Sequence, residues 1–164
     1  MLVTLLTGSN APEREAILHR TAELLAERVG RIVARSRIYA SQAWGFSSSE
    51  PFANQALRLE TSLSPIEVLD TVLDVEQRIG RDRVQEEAVK RASGEHYASR
   101  VVDIDVMFCD DEIISEPRLR VPHPLMHERE FALEPLCEIM ACYRHPELGR
   151  SLRDIYEELK EKRV

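Results

Sequence analysis

Two aspartates stand two residues apart in an otherwise apolar segment, Val102-Asp103-Ile104-Asp105-Val106. Alternate residues share one face of a β-strand, so Asp103 and Asp105 would point to one side while their apolar neighbours face the core. Neighbouring carboxylates repel each other unless a cation lies between them, and Mg²⁺ binds carboxylate oxygens together with substrate phosphates. The spacing therefore indicates a Mg²⁺ site; the alternative is a solvated acidic strand face.

Basic residues occur on both sides of this segment, in a chain whose formal net charge is −7. They are Arg81, Arg83 and Arg100 before it, and Arg118, Arg120, His123, His127 and Arg129 after it. Arginine forms bidentate, charge-assisted hydrogen bonds with phosphate oxygens. Each arginine taken alone also fits an ordinary surface charge. Together with the two aspartates, the set favours a site for a nucleotide and a metal ion.

The histidines differ in their local setting. His123 lies between two prolines, which restrict the backbone and hold the imidazole in one place. It fits either a donor to a phosphate or a hydrogen-bonded turn residue. His19 and His145 fit ordinary surface positions. The turn signal Gly8-Ser9-Asn10 lacks the G-x-x-x-x-G-K-[ST] pattern, so any phosphate chemistry is not that of a P-loop.

The composition bounds the class of protein. A length of 164 residues with 43% hydrophobic positions suits a single domain spanning residues 1–164. The negative net charge and the 5% aromatic content argue against a general nucleic-acid-binding protein. The apolar run at 2–6 is too short for a signal peptide or a membrane span. Three cysteines without a C-x-x-C spacing favour the reducing cytoplasm.

Hydrophobic periodicity predicts the elements that must position these side chains. Strands are predicted at 2–7, 31–40, 52–63, 101–108 and 112–114, and helices at 12–30, 64–80, 128–140 and 151–162. A capping box from Ser64 to Glu67 opens the second helix, and residues 81–100 are predicted to form a long surface loop with at most a transient helix in its first half. The order β-α-β-β-α-β, followed by an extra C-terminal hairpin and helices, predicts a ferredoxin-like α+β sandwich with helices on one face of a largely antiparallel sheet.

Several motifs in a fixed order resemble those of one enzyme family. They are Thr7-Gly8-Ser9-Asn10, Phe52-Ala53-Asn54, Glu76 through Gly80-Arg81, Arg100-Val101-Val102-Asp103-Ile104-Asp105-Val106, Arg118-Leu119-Arg120-Val121-Pro122-His123 and Arg129-Glu130-Phe131. They run over nearly the whole chain, and in this order the combination is far more specific than any one motif. The chain resembles the 6-hydroxymethyl-7,8-dihydropterin pyrophosphokinases of folate biosynthesis.

The resemblance implies a reaction and its cofactors. Pyrophosphate would pass from ATP, the co-substrate, to 6-hydroxymethyl-7,8-dihydropterin, giving AMP and the pterin diphosphate. The resemblance further implies two Mg²⁺ ions held by Asp103 and Asp105, with Arg81 and Arg100 as further catalytic residues. The ferredoxin-like fold of the family agrees with the order of elements.

The resemblance also implies two sets of binding residues. For the pterin they are Ser41, Gln42, Trp44, Phe52, Asn54 and Phe131, with the ring stacked between the two phenylalanines. For ATP they are Glu76, Arg83, Tyr97, Ile104, Arg118, His123 and Arg129. Many members carry Arg-Trp-Gly-Pro-Arg where this chain has His96-Tyr97-Ala98-Ser99-Arg100, so that Tyr97 would replace the tryptophan surface.

Two other functions stay open at this level. One is a different Mg²⁺-dependent nucleotidyl or phosphoryl transferase on the same fold, and the other is a non-catalytic ligand-binding module. The pair Asp103 and Asp105 argues against the module, which gains little from two unneutralised carboxylates. We expect a cytoplasmic monomer or weak homodimer that takes small-molecule substrates and binds neither nucleic acid nor membranes.

Overall fold

A computed structural model describes residues 1–41, 51–90 and 101–162. The strands within these ranges are β1 (Leu2–Ser9), β2 (Arg31–Arg35), β3 (Tyr39–Ser41), β4 (Phe52–Glu60), β5 (Asp103–Cys109), β6 (Ile114–Ser115) and β7 (Arg120–Val121). The helices are α1 (Arg14–Arg28), α2 (Pro65–Lys90), α3 (Glu130–Met140) and α4 (Leu152–Glu161), with a 3₁₀ turn at Met126–Glu128. No helix in this part of the chain has the length and apolar character that a membrane crossing requires.

The main sheet is antiparallel, with the strand order β2-β4-β1-β5, and β3 pairs with β4 along the same edge as β2. Adjacent residues of β1 point to opposite faces. Leu5 packs with α1 and α2 in one core, whereas Leu6 packs with α3 and α4 in a second core. The predicted ferredoxin-like α+β fold is confirmed. The two C-terminal helices cover the face that the prediction left open.

Helix α2 is longer than predicted. It continues past Gly80 to Lys90, so the prediction of a loop is wrong for residues 81–90. This stretch contains neither glycine nor proline and is rich in Arg, Gln, Glu, Ala and Lys, which have high helix propensity. A glycine inside a helix costs only about 1 kcal/mol relative to alanine, and Gly80 therefore does not end the helix. Residues 91–100 lie outside the described ranges.

The predicted strand at 31–40 is divided at Ser36 into β2 and β3. The Ser36 N–H donates to the Ala56 carbonyl at 2.9 Å, and the Ser36 hydroxyl accepts from the Ala56 N–H at 2.9 Å. Gln55 Nε2 donates to the Ser36 carbonyl at 2.8 Å. A side-chain oxygen thus replaces one backbone acceptor of the ladder, which the alternation of apolar residues along the strand does not reveal.

His145 is buried, which corrects the prediction of a surface position. His145 is 3% exposed, and its ring packs edge-on against Phe108 with 5.8 Å between the ring centroids. Its Nδ1 accepts from the N–H groups of Glu147 and Leu148 at 3.2 and 3.1 Å. Burial lowers the pKa of the imidazole. The second core encloses this position, and a lone histidine in the sequence carries no signal of that packing.

The predicted capping box at the start of α2 is confirmed. Ser64 Oγ accepts from the Glu67 N–H at 3.2 Å, and the Glu67 carboxylate accepts from the Ser64 N–H at 2.9 Å. The hydrogen bond from the Ser64 N–H lowers the pKa of Glu67. The box satisfies two donors that a helix N-terminus otherwise leaves unpaired, and it stabilises the start of the helix that packs along β5.

We expect the substitution Ser64→Ala to lower the free energy of unfolding by about 1 kcal/mol, because an N-cap oxygen is lost. Urea denaturation followed by circular dichroism measures this change. Ser62, an exposed residue in the preceding bend, supplies the matched control, and Ser62→Ala should change the free energy by less than about 0.5 kcal/mol. Equal effects of the two substitutions would contradict the assigned role of the cap.

Candidate active site

A cavity of about 700 Å³ lies at the end of the sheet where β1 finishes and where β4 and β5 begin. Strand β3 and the start of α3 complete its walls. Its lining residues are Leu6, Gly8, Ser41, Phe52, Asn54, Asp103, Asp105, Leu125, Glu128, Arg129, Glu130, Phe131 and Leu159. The cavity therefore brings together seven of the residues singled out in the sequence, namely Ser41, Phe52, Asn54, Asp103, Asp105, Arg129 and Phe131.

The register of the three central strands explains this grouping. Gly8 of β1 pairs with Asn54 of β4 on one side and with Asp103 of β5 on the other. Neighbouring strands lie about 4.8 Å apart. Asn54 and Asp103 are therefore separated by two strand spacings, roughly 10 Å, which suits the two ends of a small ligand.

Asp103 and Asp105 share a face of β5, as the spacing predicts. Asp103 is exposed and Asp105 half-buried, whereas Ile104 and Val106 between and after them are buried. Both aspartates line the cavity. Among the described residues, no group of three or more His, Cys, Asp and Glu forms a metal cluster. Two carboxylates alone fit Mg²⁺, which keeps water and substrate phosphates among its ligands.

Asn54 presents an oriented amide to the cavity. It is 5% exposed, and its Nδ2 donates to Ser41 Oγ at 3.3 Å. A Cβ added to Gly8 would lie only 2.7 Å from Asn54 Oδ1. The glycine is therefore required for the close approach of the amide and not for a turn, because β1 continues through Ser9. An amide supplies both a donor and an acceptor to the edge of a heterocycle.

Aromatic side chains line the same cavity from two elements. Phe52 begins β4, and Phe131 lies in the first turn of α3. The guanidinium carbon of Arg129 lies 5.7 Å from the centroid of the Phe131 ring. A cation over an aromatic face is stabilised by the ring quadrupole. The arrangement keeps a positive charge beside an apolar wall.

His123 lies next to the cavity in a rigid turn. Its backbone N–H donates to the Met107 carbonyl of β5 at 3.1 Å, and its Nδ1 accepts from the Leu125 N–H at 3.3 Å. Burial lowers the pKa of the imidazole, and this effect prevails over the Asp105 carboxylate, which raises it; Arg129 lowers it further. Because Nδ1 accepts from the Leu125 N–H, the neutral form of the ring carries its proton on Nε2 and can donate from that atom.

Besides His123, three of the predicted nucleotide residues with described side chains do not line the cavity. Glu76 of α2 accepts a hydrogen bond from the Ile104 N–H at 2.7 Å, so it ties α2 to the strand of the two aspartates. The Ile104 side chain is 6% exposed and belongs to the core. Arg118 donates to Asp70 of α2 in an exposed ion pair.

The remaining predicted residues divide into two groups. Arg81 and Arg83 lie in α2, in the part of the chain for which a loop was predicted. Gln42, Trp44, Tyr97 and Arg100 lie outside the described residues. Sequence reasoning missed the apolar wall residues Leu6, Leu125 and Leu159 and the acidic residues Glu128 and Glu130. Leu159 lies on the terminal helix, and nothing in its local sequence distinguishes it from the apolar residues that face the core.

Comparisons with known proteins identify relatives of this chain. Residues 4–141 match the family model described as 7,8-dihydro-6-hydroxymethylpterin-pyrophosphokinase. A 2-amino-4-hydroxy-6-hydroxymethyldihydropteridine pyrophosphokinase of Porphyromonas gingivalis is 34% identical over 147 residues, which cover 89% of this chain and 95% of the relative. The enzyme of the same name from Aquifex aeolicus is 35% identical over 151 residues, covering 92% of this chain and 88% of the relative.

Solved structures support the fold. The crystal structure of a doubly substituted variant of Plasmodium falciparum HPPK-DHPS with pterin and p-hydroxybenzoate has a TM-score of 0.74 at 15% identity, covering 98% of this chain and 44% of that chain. The wild-type HPPK-DHPS structure has a TM-score of 0.71 at 14% identity, covering 98% of this chain and 46% of that chain. This chain thus spans less than half of those longer chains.

The family match and the two bacterial relatives agree with each other along nearly the whole chain. At 34% and 35% identity over most of both partners, the likeness is far above the level that shows a shared fold alone. The chain belongs to the 7,8-dihydro-6-hydroxymethylpterin-pyrophosphokinase family, and it is an enzyme that transfers pyrophosphate from ATP.

Proposed function

We propose that this protein transfers pyrophosphate from ATP to 6-hydroxymethyl-7,8-dihydropterin, forming AMP and the pterin diphosphate for folate biosynthesis. The observation that carries the proposal is that one cavity is lined both by Asn54 with two phenylalanines and by Asp103 with Asp105. The first group suits an uncharged aromatic heterocycle, and the second suits a polyphosphate with its cations.

The pterin would lie against Phe52 and Phe131, with Asn54 at its polar edge. Stacking on an aromatic side chain contributes roughly 1–3 kcal/mol, by analogy with nucleic-acid bases. The Asn54 amide is held by Ser41 Oγ, which fixes which atoms face the ligand. Selectivity for the pterin then comes from this pre-oriented amide, since a ligand that leaves the buried amide unpaired binds less tightly.

The phosphate end of the site is built from charge and hydrogen-bond donors. Arg129 and the Nε2 proton of His123 would bind phosphate oxygens, and Asp103 and Asp105 would hold two Mg²⁺ ions. When bound, these ions neutralise phosphate charge and align the reacting groups. The hydroxymethyl oxygen attacks the β-phosphorus, the bond from that phosphorus to the oxygen bridging to the α-phosphate breaks, AMP leaves, and the hydroxyl proton is released.

We extend the proposal to the domain, the compartment and the oligomeric state of the enzyme. We propose one domain over residues 1–164 that acts in the cytoplasm as a monomer or weak homodimer on small molecules, without nucleic-acid or membrane partners. All three cysteines, Cys109, Cys137 and Cys142, are free. Free thiols fit a reducing compartment.

Product analysis tests the proposed function. The purified protein is incubated with ATP, Mg²⁺ and 6-hydroxymethyl-7,8-dihydropterin, and the nucleotides are separated by chromatography. We expect AMP to form in step with a pyrophosphorylated pterin. ADP would instead indicate phosphoryl transfer, and release of free pyrophosphate would indicate nucleotidyl transfer. Absence of pterin-dependent turnover by a folded protein that binds ATP would overturn the proposal.

We expect Asp103→Asn and Asp105→Asn each to lower kcat by about 100-fold or more, because each removes a charge that binds the cations. Thermal unfolding should show that stability is retained, since like-charge repulsion is relieved. Asp111→Asn, at an exposed position beyond the end of β5, is the control and should leave the rate unchanged. A rate within twofold of the wild type in either test variant would count against the assigned metal site.

We expect Phe52→Leu to raise the dissociation constant of the pterin by about tenfold, because a stacking surface worth roughly 1–3 kcal/mol is lost. Quenching of the pterin fluorescence measures this constant without turnover. The KM for ATP should remain unchanged. Val33→Ala, at an exposed strand position outside the cavity, is the control, and an unchanged pterin constant in Phe52→Leu would contradict the stacking role.

A further inference from the structure

Glu138 of α3 binds the segment that joins β2 to β3. Its two carboxylate oxygens each accept from the Arg37 backbone N–H at 3.2 Å, and Oε1 also accepts from Arg37 Nε at 3.1 Å. The Tyr39 hydroxyl donates to the same Oε1 at 2.6 Å. Arg37 Nη2 in turn donates to the Tyr39 hydroxyl at 3.1 Å. We call these three residues, Arg37, Tyr39 and Glu138, the Glu138 clasp.

The charge states of the clasp are mutually consistent. The hydrogen bond from Tyr39 lowers the pKa of Glu138, and the same bond raises the pKa of Tyr39. At neutral pH the carboxylate is therefore ionised and the phenol keeps its proton. Hydrogen bonds to an ionised acceptor are shorter and about twice as strong as neutral ones. The 2.6 Å distance from the Tyr39 hydroxyl to Glu138 Oε1 agrees with a protonated phenol that donates to an ionised carboxylate.

Strand β3 connects the clasp to one wall of the cavity. It has three residues, and it pairs Tyr39 with Asn54 and Ser41 with Phe52. Tyr39 and Ser41 lie on one face of the strand because they are two residues apart. Ser41 Oγ accepts from the Asn54 amide. The position of this short edge strand therefore determines where the hydrogen-bond partner of Asn54 and the strand neighbour of Phe52 lie.

Helix α3 connects the clasp to the opposite wall. Phe131 and Glu138 belong to the same helix, seven residues apart. This separation is about two turns and roughly 10 Å along the axis, which brings both side chains to the same side of the helix. The clasp thus joins the helix that carries Phe131 to the strand that pairs with Phe52.

We propose that Glu138 is a positioning residue for the pterin: through Arg37 and Tyr39 it holds β3 against α3 and so sets the spacing between the Phe52 and Phe131 walls. The inference rests on the proposed function, because it assigns the pterin to these walls. Glu138 itself does not line the cavity. Its loss acts on pterin binding, whereas Asp103 and Asp105 lie on β5, away from the clasp.

Steady-state kinetics of Tyr39→Phe, Glu138→Gln and Glu138→Ala test the proposal. We expect the KM for the pterin to rise about threefold in Tyr39→Phe and about tenfold in Glu138→Ala, in line with loss of hydrogen bonds to a charged group. Glu138→Gln retains an acceptor and should fall between the wild type and Glu138→Ala. The KM for ATP and kcat should stay within about twofold of the wild type, since the clasp does not touch the phosphate end.

A double-mutant cycle distinguishes loss of the clasp contact from a general loss of stability. Tyr39→Phe added to Glu138→Ala should cause no further rise in the pterin KM, because the two residues act through one contact. Val68→Ala, in the core on the other side of the sheet, lowers stability and serves as the control with an unchanged pterin KM. Tyr39→Phe removes only one hydroxyl from a partly exposed ring. We therefore expect this variant to fold and to test the proposal even if Glu138→Ala does not fold.

The outcomes distinguish the two proposals. Pterin-dependent AMP formation by the wild type, with equal pterin KM values in the wild type and the clasp variants, would overturn the role of Glu138 alone. A rise in both KM values together that also appears in Val68→Ala would overturn it as well, since it would reflect stability. A wild type without pterin-dependent AMP formation would overturn the proposed function, and the clasp proposal with it.

Discussion

The pairing of β1 with two partners at Gly8 is the constraint on which the site depends. Asn54 on one neighbouring strand and Asp103 on the other are aligned with the same glycine. The backbone ladder therefore sets the distance between the end of the cavity suited to a heterocycle and the end suited to phosphates. A side chain at Gly8 would meet the Asn54 amide at 2.7 Å, so the central strand also determines how closely the amide can approach.

The two faces of the sheet serve different purposes. Helices α1 and α2 close one face with an apolar core, and no described residue of that core lines the cavity. Helices α3 and α4 close the other face, and Phe131 and Leu159 from these helices also reach the cavity. The second core is thus continuous with the apolar wall of the site. This continuity explains why a binding wall is formed by residues that look like ordinary core positions.

The two carboxylates of β5 that line the cavity are both accessible to solvent, to different degrees. Asp103 is exposed and Asp105 half-buried, so neither carboxylate bears the full cost of desolvation. Arg129 also lines the cavity, and both Asp105 and Arg129 act electrostatically on His123. A site of this kind suits a ligand that brings both negative phosphates and their cations. The Glu138 clasp joins helix α3, which carries Phe131, to strand β3, which pairs with Phe52.

The sequence by itself determined the shared face of Asp103 and Asp105, the capping box of α2, the class of the fold and the family, because strand alternation, helix capping and ordered motifs are local properties. Only the tertiary structure decided that α2 passes through Gly80, that Ser36 interrupts the edge strand, that His145 is buried, and that Leu125 and Leu159 join the cavity. Three of these findings depend on partners distant in the chain: Ala56 for Ser36, the second core for His145, and the packing of α4 for Leu159. The helix propensity of a single glycine is a weak indication of where a helix ends. Contacts between strands and across the sheet produce no periodic pattern of residues in the sequence.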